Sequence, residues 1–127
     1  MVKTTKRDRL VASRLNELAG RIHQQNVRWW HDRAGRRIER NKGELLCLIH
    51  SEVSEAMEGE RKDLQDDKLP HRRMAEVELA DAIIRILDYA GGFGYDIGGA
   101  LVEKLRYNQQ RHDHTYEARS QPGGKLW

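Results

Sequence analysis

The amino-acid sequence predicts a single all-α domain with the architecture of a four-helix bundle. Apolar residues recur at the i, i+3, i+4 spacing of a helix in four separate segments. Aromatic residues make up only 6% of the 127 residues and there are two prolines, a composition that disfavours an all-β fold. We therefore expect one helical domain over residues 1–112. Residues 113–127 lack periodicity and contain a Pro-Gly-Gly sequence, which predicts an irregular tail.

Capping pairs predict where the first two helices begin. Thr5 and Asn41 each stand three residues before an acidic residue, a spacing at which both side chains can satisfy free backbone N–H groups. The first helix should run from Thr5 to between Asn26 and Trp30, and the second from Asn41 to about Arg61. An arginine-rich loop is expected between them.

A glycine-rich turn is expected to separate the third and fourth helices. Pro70 suits the first turn of a helix, and helical periodicity continues from there to Ala90, where a Gly-Gly-Phe-Gly sequence follows. Asp96 is the expected cap of the fourth helix, which should reach about Arg111. Because apolar residues cover more than half of the third helix, we expect it to be central and to contribute to a homo-oligomer interface.

Two acidic pairs lie within the predicted helices. Glu52-x-x-Glu55 belongs to the second helix and Glu78-x-x-Asp81 to the third, and each spacing places two carboxylates on one helix face. At about 100° per residue, Glu52 projects into the middle of the apolar stripe of its helix. Burying a carboxylate is costly unless a cation compensates it. The four acids therefore predict a Mg²⁺ site, at which Mn²⁺ is a plausible substitute.

A polar row on the fourth helix indicates what such a metal would hold. Lys104, Asn108 and Arg111 follow an i, i+4, i+7 spacing and share one helix face. The arginine fork and the lysine point charge suit phosphate oxygens. Carboxylates, a metal and this row together indicate a polyphosphate substrate, attacked by an activated water with Glu52 or Glu55 as the catalytic general base.

Two stretches of the chain resemble a known family. ELLCLIHSEVSEAMEGERK and ELADAIIRILDYAGGFGYDIGGALVEKLRYNQQR are similar to the MazG-like branch of the all-α nucleoside triphosphate pyrophosphohydrolases, in particular to its small single-domain versions, including those carried by phages. The resemblance covers about residues 41–111. The two acidic pairs fill the family's Glu-x-x-Glu and Glu-x-x-Asp pattern, and the polar row matches its downstream Lys, Asn and Arg. The resemblance implies Mg²⁺-dependent cleavage of an NTP or dNTP into the monophosphate and pyrophosphate by a homodimer or homotetramer.

The residues that would hold the base are less defined. By the same resemblance they should come from the N-terminal region, where Asn26, Trp29 and Trp30 are the candidates. A tryptophan ring can stack on a nucleobase, and we expect one of the two to do so. A Trp-Trp pair at a helix end can equally anchor a core or an interface.

Other functions stay open at this stage. A phosphoribosyl-ATP or dUTP pyrophosphohydrolase would share the bundle and the carboxylates. A non-enzymatic alternative is a basic helical module that binds nucleic acid through the cationic stretch from Arg28 to Lys42. A third is a structural oligomer without chemistry, in which replacing Glu52 by leucine would stabilise the fold.

Composition also indicates the cellular environment. The single cysteine, Cys47, cannot form an intrachain disulfide and fits a reducing cytosol. The first residues lack the apolar core of a signal peptide, and no apolar run approaches the ~18 residues of a membrane span. We expect a cytoplasmic protein without a membrane partner.

Overall fold

The computed structural model describes residues 2–127, and these residues form helices joined by loops. Five α-helices follow one another: α1 (Lys6–Asn26), α2 (Lys42–Arg61), α3 (Met74–Phe93), α4 (Ile97–Gln110) and α5 (Tyr116–Ser120). Within the described residues no β-strand occurs, only two isolated bridges, so the all-α prediction is confirmed. None of the helices in this part of the chain combines the length and apolarity that a bilayer span requires. Met1, the first residue of the predicted domain, lies outside the described residues.

Both predicted capping pairs start their helices. Asp8 N–H donates to Thr5 Oγ1 at 3.0 Å, and Thr5 N–H donates to Asp8 Oδ2 at 2.8 Å, which closes a reciprocal box before α1. Asn41 caps α2 by accepting from Glu44 N–H at 2.9 Å. The structure thus confirms the predicted starts of these two helices to within one residue.

The predicted start of α3 at Pro70 is wrong, because the preceding segment folds into an ordered loop. Asp66, which is 6% exposed, accepts from the N–H groups of Lys68 and Leu69 at 2.9 and 2.7 Å. Two isolated backbone hydrogen bonds then tie the loop ends together, from Asp66 N–H to Arg72 and from Met74 N–H to Leu64. The helix begins only after this closure, at Met74.

The predicted end of α3 at Ala90 is also displaced. The helix continues through Gly91 and Gly92 to Phe93, and Gly94 caps it in the left-handed conformation with φ 71°. A Cβ atom on Gly92 would lie 2.3 Å from the ring of Trp30. Gly92 therefore serves close packing of an aromatic side chain, and only Gly94 makes the turn.

The tail is less irregular than predicted. Thr115 accepts from Ala118 N–H at 3.1 Å and caps α5, and a 3₁₀ turn over His112–His114 precedes it. The Pro-Gly-Gly sequence does remain outside any helix. The prediction of an irregular tail over 113–127 is corrected for Tyr116–Ser120.

Backbone packing divides the chain into two units. The first comprises Met1–Glu17 and Asp96–Trp127, and the second comprises Leu18–Tyr95.

In the first unit, the start of α1 packs antiparallel to α4. Arg106 binds Asp8 with both a 2.9 Å and a 3.1 Å hydrogen bond, and Asn16 bonds both to Asp96 at 2.7 Å and to Gly98 N–H at 2.8 Å.

In the second unit, α2 and α3 form an antiparallel pair. Gly59 near the end of α2 contacts Met74 at the start of α3, where a Cβ atom would lie 2.9 Å from the methionine. Ala56 on α2 and Ala82 on α3 are buried. Small residues thus bring the two helices close together, and this antiparallel register sets the carboxylates of one helix against those of the other.

Large apolar side chains of this helix pair remain exposed in the single chain. They belong to both α2 and α3: Leu46, Val53, Met57, Leu79, Ile83 and Ile86. The periodicity of α3 predicts such an apolar surface beyond what the helix pair itself buries.

Candidate functional site

Three of the four predicted carboxylates converge between α2 and α3. Each of Glu52, Glu78 and Asp81 offers an oxygen atom, and these atoms all lie within 4.8 Å of one another. The i, i+3 spacing of Glu78 and Asp81 sets both on one face of α3, and the antiparallel register brings Glu52 of α2 to that face. Glu55, the fourth predicted acid, is exposed one turn further along α2 and is outside this group. Glu52, Glu78 and Asp81 are called the carboxylate cluster below.

The electrostatics of the carboxylate cluster are unfavourable in the absence of a cation. Burial, a hydrogen bond with Glu52 and repulsion from Glu52, Asp81 and Glu55 together raise the pKa of Glu78 from 4.5 to about 7. Among residues 2–127, neither Glu78 nor Asp81 forms an ion pair. The packing of α2 on α3 therefore holds the three acids together against their charge repulsion.

Glu52 has a cationic partner of its own. The Nε–H of Arg85, one turn beyond Asp81 on α3, donates to Glu52 Oε1 at 2.6 Å. The Glu52 side chain is 13% exposed, as its position in the apolar stripe predicts, whereas that of Arg85 is 41% exposed. One cation thus serves a site of several carboxylates, which leaves a net negative charge.

The donor set of the carboxylate cluster fits a hard divalent cation. Carboxylate oxygens are the ligands that Mg²⁺ and Mn²⁺ accept, and Mg²⁺ commonly takes only a few from protein and fills its octahedron with water and phosphate oxygens. No histidine or cysteine contributes to this group. The raised pKa of Glu78 is the cost that a bound cation would relieve.

A pocket of about 590 Å³ opens beside the carboxylate cluster. Glu52, Asp81 and Arg85 form its polar wall. The remaining lining is mostly aromatic, apolar and cationic, and comprises Asn26, Trp29, Trp30, Arg40, Leu45, Ile84, Asp88 and Tyr89. A volume of this size suits a small-molecule ligand.

The two tryptophans of the pocket differ in environment. Trp30 is 1% exposed, its ring packs edge-on against Phe93 with centroids 5.3 Å apart, and its Nε1–H donates to Asp88 at 3.2 Å. Trp30 is therefore a core anchor. Trp29 is 58% exposed, and the guanidinium of Arg28 lies 4.7 Å from the centroid of its ring. Of the pair, Trp29 is the ring that a ligand can reach.

No protein-family model matches this chain, and no curated protein or solved structure matches it either.

The predicted phosphate-binding row lies in the first unit, on α4 and just after it. Arg111 directs Nε and Nη2 at the carboxylate of Asp113, with the Nε contact at 2.9 Å. Lys104 Nζ lies 4.8 Å from the centroid of the Tyr107 ring. Asn108 Oδ1 is buried and accepts no hydrogen bond from the described residues. The two cations of the row thus already have partners within their unit, and the amide oxygen does not.

Several residues of the pocket were not singled out from the sequence as site residues. Apolar residues leave a narrow polar stripe on α3 that consists of Glu78, Asp81, Arg85 and Asp88. Membership of this stripe is the sequence signal for Arg85 and Asp88. Arg40 and Tyr89 carried no such signal, because an exposed-loop arginine and a tyrosine on an apolar helix are each common.

Three arginines of the arginine-rich loop donate hydrogen bonds within the chain. Arg36 pairs with a neighbouring aspartate, Arg37 donates to the carbonyl oxygen of Gly92 at 3.0 Å, and Arg40 donates to that of Trp29 at 2.9 Å. These contacts order the loop around Trp30. Of these three contacts only that of Arg36 pairs the guanidinium with a carboxylate, so Arg37 and Arg40 keep their net positive charge.

Proposed function

We propose that this protein is a Mg²⁺-dependent nucleoside triphosphate pyrophosphohydrolase, which cleaves an NTP or dNTP into the monophosphate and pyrophosphate. One observation carries the proposal, the convergence of Glu52, Glu78 and Asp81 beside a pocket that also offers an exposed aromatic ring. Carboxylates that repel one another need a cation, and a pocket of mixed aromatic and cationic lining suits a nucleotide.

The carboxylate cluster would hold the metal. When bound, Mg²⁺ offsets the charge of the carboxylates and the phosphate chain, and makes a neighbouring water more acidic. Mn²⁺ is the expected substitute because it prefers the same oxygen donors.

The chain's own glutamates would supply proton transfer. The oxygen of a water forms a bond to one of the two phosphorus atoms of the α–β bridge, and the bond from that phosphorus to the bridging oxygen breaks. The bridging oxygen leaves with the other phosphorus, so the products are the monophosphate and pyrophosphate, and a proton of the water passes to a glutamate. Glu55 suits this role because its exposed carboxylate is outside the cluster and can accept a proton. Glu52 remains the second candidate.

Two further groups of residues complete the proposed substrate contacts. Trp29 would stack on the base, and Asn26, which also lines the pocket, would contribute amide hydrogen bonds. Lys104, Asn108 and Arg111 would bind phosphate oxygens, which requires Arg111 to exchange Asp113 for phosphate.

We also propose that the active form is a homo-oligomer, a dimer or a tetramer. The exposed apolar side chains of α2 and α3 support this, since an exposed apolar surface on a helix pair is a common subunit interface. Sedimentation of the wild type and of Ile83→Lys provides the measurement. A monomer in both, with unchanged activity, would contradict the proposal.

Pyrophosphate release from a panel of NTPs, dNTPs and modified nucleotides tests the enzymatic activity. The panel should include dUTP and phosphoribosyl-ATP, whose strong preference would favour the narrower alternatives. Hydrolysis that requires Mg²⁺ or Mn²⁺ is the expected result. If no nucleotide is cleaved, and a labelled DNA or RNA strand instead binds with an affinity that falls steeply with salt concentration, the nucleic-acid alternative replaces this proposal.

A further inference from the structure

Arg85 uses only part of its hydrogen-bonding capacity. A guanidinium carries five N–H donors in a rigid fork. The Nε–H of Arg85 donates to Glu52, and within the described residues its Nη1 and Nη2 groups donate to no protein acceptor. The side chain is 41% exposed and lines the pocket. Four donors of a permanent cation are therefore free to meet a ligand.

Along α3, Arg85 lies between a residue of the carboxylate cluster and a residue of the aromatic lining of the pocket. At about 1.5 Å rise per residue, its Cα lies roughly 6 Å along the helix from that of Asp81 and roughly 6 Å from that of Tyr89. Asp81 belongs to the carboxylate cluster and Tyr89 to the aromatic lining. A ligand that extends from the carboxylate cluster to the aromatic lining therefore passes Arg85.

The other arginine of the pocket, Arg40, contacts the two tryptophans and not the carboxylate cluster. Arg40 donates through Nη1 to the carbonyl oxygen of Trp29 at 2.9 Å, and its guanidinium lies 5.5 Å from the centroid of the Trp30 ring. Arg40 and Arg85 each donate one hydrogen bond within the described residues, but only Arg85 donates to a carboxylate of the cluster, so only Arg85 is coupled to the proposed metal ligands.

We propose that Arg85 binds the phosphate chain of the substrate. The inference rests on the proposed function and assigns to Arg85 a role beyond the Lys104, Asn108 and Arg111 row. Without a ligand, Arg85 is the counter-charge of Glu52. A divalent cation and Arg85 compete for the same carboxylate, so occupation of the cluster releases the guanidinium fork for two phosphate oxygens.

This exchange predicts two opposite effects of Arg85→Met. Binding of Mg²⁺ alone should become tighter, by about threefold to tenfold, because Glu52 loses a competing cation. Binding of inorganic tripolyphosphate at saturating Mg²⁺ should become about 10- to 100-fold weaker, because a charge-assisted contact is lost. Calorimetric titration of the full chain measures both. A purely structural Arg85 would not move the two affinities in opposite directions.

Matched variants make the titration decisive. Arg61→Met removes the same charge from the exposed end of α2 and should leave both affinities within twofold of wild type. Arg85→Lys keeps the charge beside Glu52 without the fork, and should weaken tripolyphosphate binding by several-fold. It serves as the test if circular dichroism shows that Arg85→Met does not fold.

The outcomes separate this inference from the proposed function. Wild-type affinity for tripolyphosphate in Arg85→Met, or in Arg85→Lys if only that variant folds, overturns the role of Arg85 alone. The inference also fails if the wild type does not bind the probe. Absence of nucleotide hydrolysis by the wild type, by contrast, overturns the proposed function.

Discussion

The carboxylate cluster and the polar row on α4 are both charged groups of the same chain, but they differ in how their charge is satisfied. In the cluster, Glu52, Glu78 and Asp81 repel one another, and the pKa of Glu78 is raised to about 7 mainly by burial and by Glu52. In the row, Arg111 has a carboxylate partner in Asp113, whose pKa the guanidinium holds well below its usual range.

This difference shows which region needs an external partner. A satisfied ion pair is stable without any ligand, and a ligand must displace the existing partner to bind there. Converging carboxylates are destabilising until a cation arrives. The cluster is therefore the stronger indication of a ligand, and the row contributes to function only if its internal pairs open.

The largest expected effect is on hydrolysis when the cluster is changed. Glu52→Gln and Asp81→Asn should each lower kcat/KM by at least about 1000-fold, because each removes a charged donor that the reaction needs. Steady-state pyrophosphate release measures this, with circular dichroism to verify the helices. Glu60→Gln, an exposed change on the same α2 helix, is the control. More than a tenth of wild-type activity in both cluster variants would contradict the proposed function.

The second prediction tests whether the row takes part. If Arg111 exchanges Asp113 for phosphate, Arg111→Met should raise KM by about 10- to 100-fold. Asp113→Asn should instead leave KM unchanged or lower it, because it frees the guanidinium. A row with only a structural role predicts the same small change in both variants. The comparison of the two KM values therefore decides between exchange and a permanent ion pair.

The helix caps and the unusual position of Glu52 can be predicted from the sequence because each depends on residues of a single helix. The caps at Thr5 and Asn41 are local, so a segment of four residues suffices to predict each of them. Glu52 was found because a charged residue in an apolar stripe violates the pattern of its own helix. These signals involve one element each, and they do not depend on the register between helices.

Other features depend on contacts that no single segment contains. The late start of α3 follows from the loop that Asp66 closes, and the continuation of the helix through Gly92 follows from the ring of Trp30. The Glu52–Arg85 pair requires the antiparallel register of α2 and α3. Sequence periodicity gives the face of a residue but not its partner across a helix pair.

The third prediction concerns stability, and it tests whether Mg²⁺ binds at the carboxylate cluster and not at the polar row. Mg²⁺ that binds only the folded state should raise the free energy of unfolding by about 1.4 kcal/mol at ten times its Kd. The increase should disappear in Glu52→Gln, which removes a carboxylate ligand of the cation, and it should persist in Arg111→Met. Thermal unfolding with and without Mg²⁺ measures both. An equal Mg²⁺ response in all three proteins would place cation binding outside the cluster.

The smallest expected effect is the pH dependence of metal-free stability. Glu78 has a folded pKa of about 7 against an ordinary value of 4.5. Below about pH 4.5 the carboxyl is protonated in both states and costs nothing. Between 4.5 and about 7 the unfolded chain loses the proton while the folded chain keeps it, so the free energy of unfolding falls as pH rises. Glu78 is half-buried, so solvent screens part of the repulsion, and we expect a loss of about 1 kcal/mol at most.

Urea denaturation in EDTA at about pH 5 and about pH 7.5 measures this loss, and Glu78→Gln isolates it, because every other titrating group is common to both proteins. The free energy of unfolding should fall more steeply with pH in the wild type than in Glu78→Gln, and saturating Mg²⁺ should remove this difference. An equal pH dependence of the free energy of unfolding in the two proteins without Mg²⁺ would mean that Glu78 is not destabilised by its position in the cluster.

The Arg111–Asp113 pair does not interfere with this measurement. Because the pKa of Asp113 is lowered, the pair's contribution to stability changes only at pH values around and below 3.8, where it is lost as pH falls. The two regions thus respond to acid in opposite directions and in separate pH ranges.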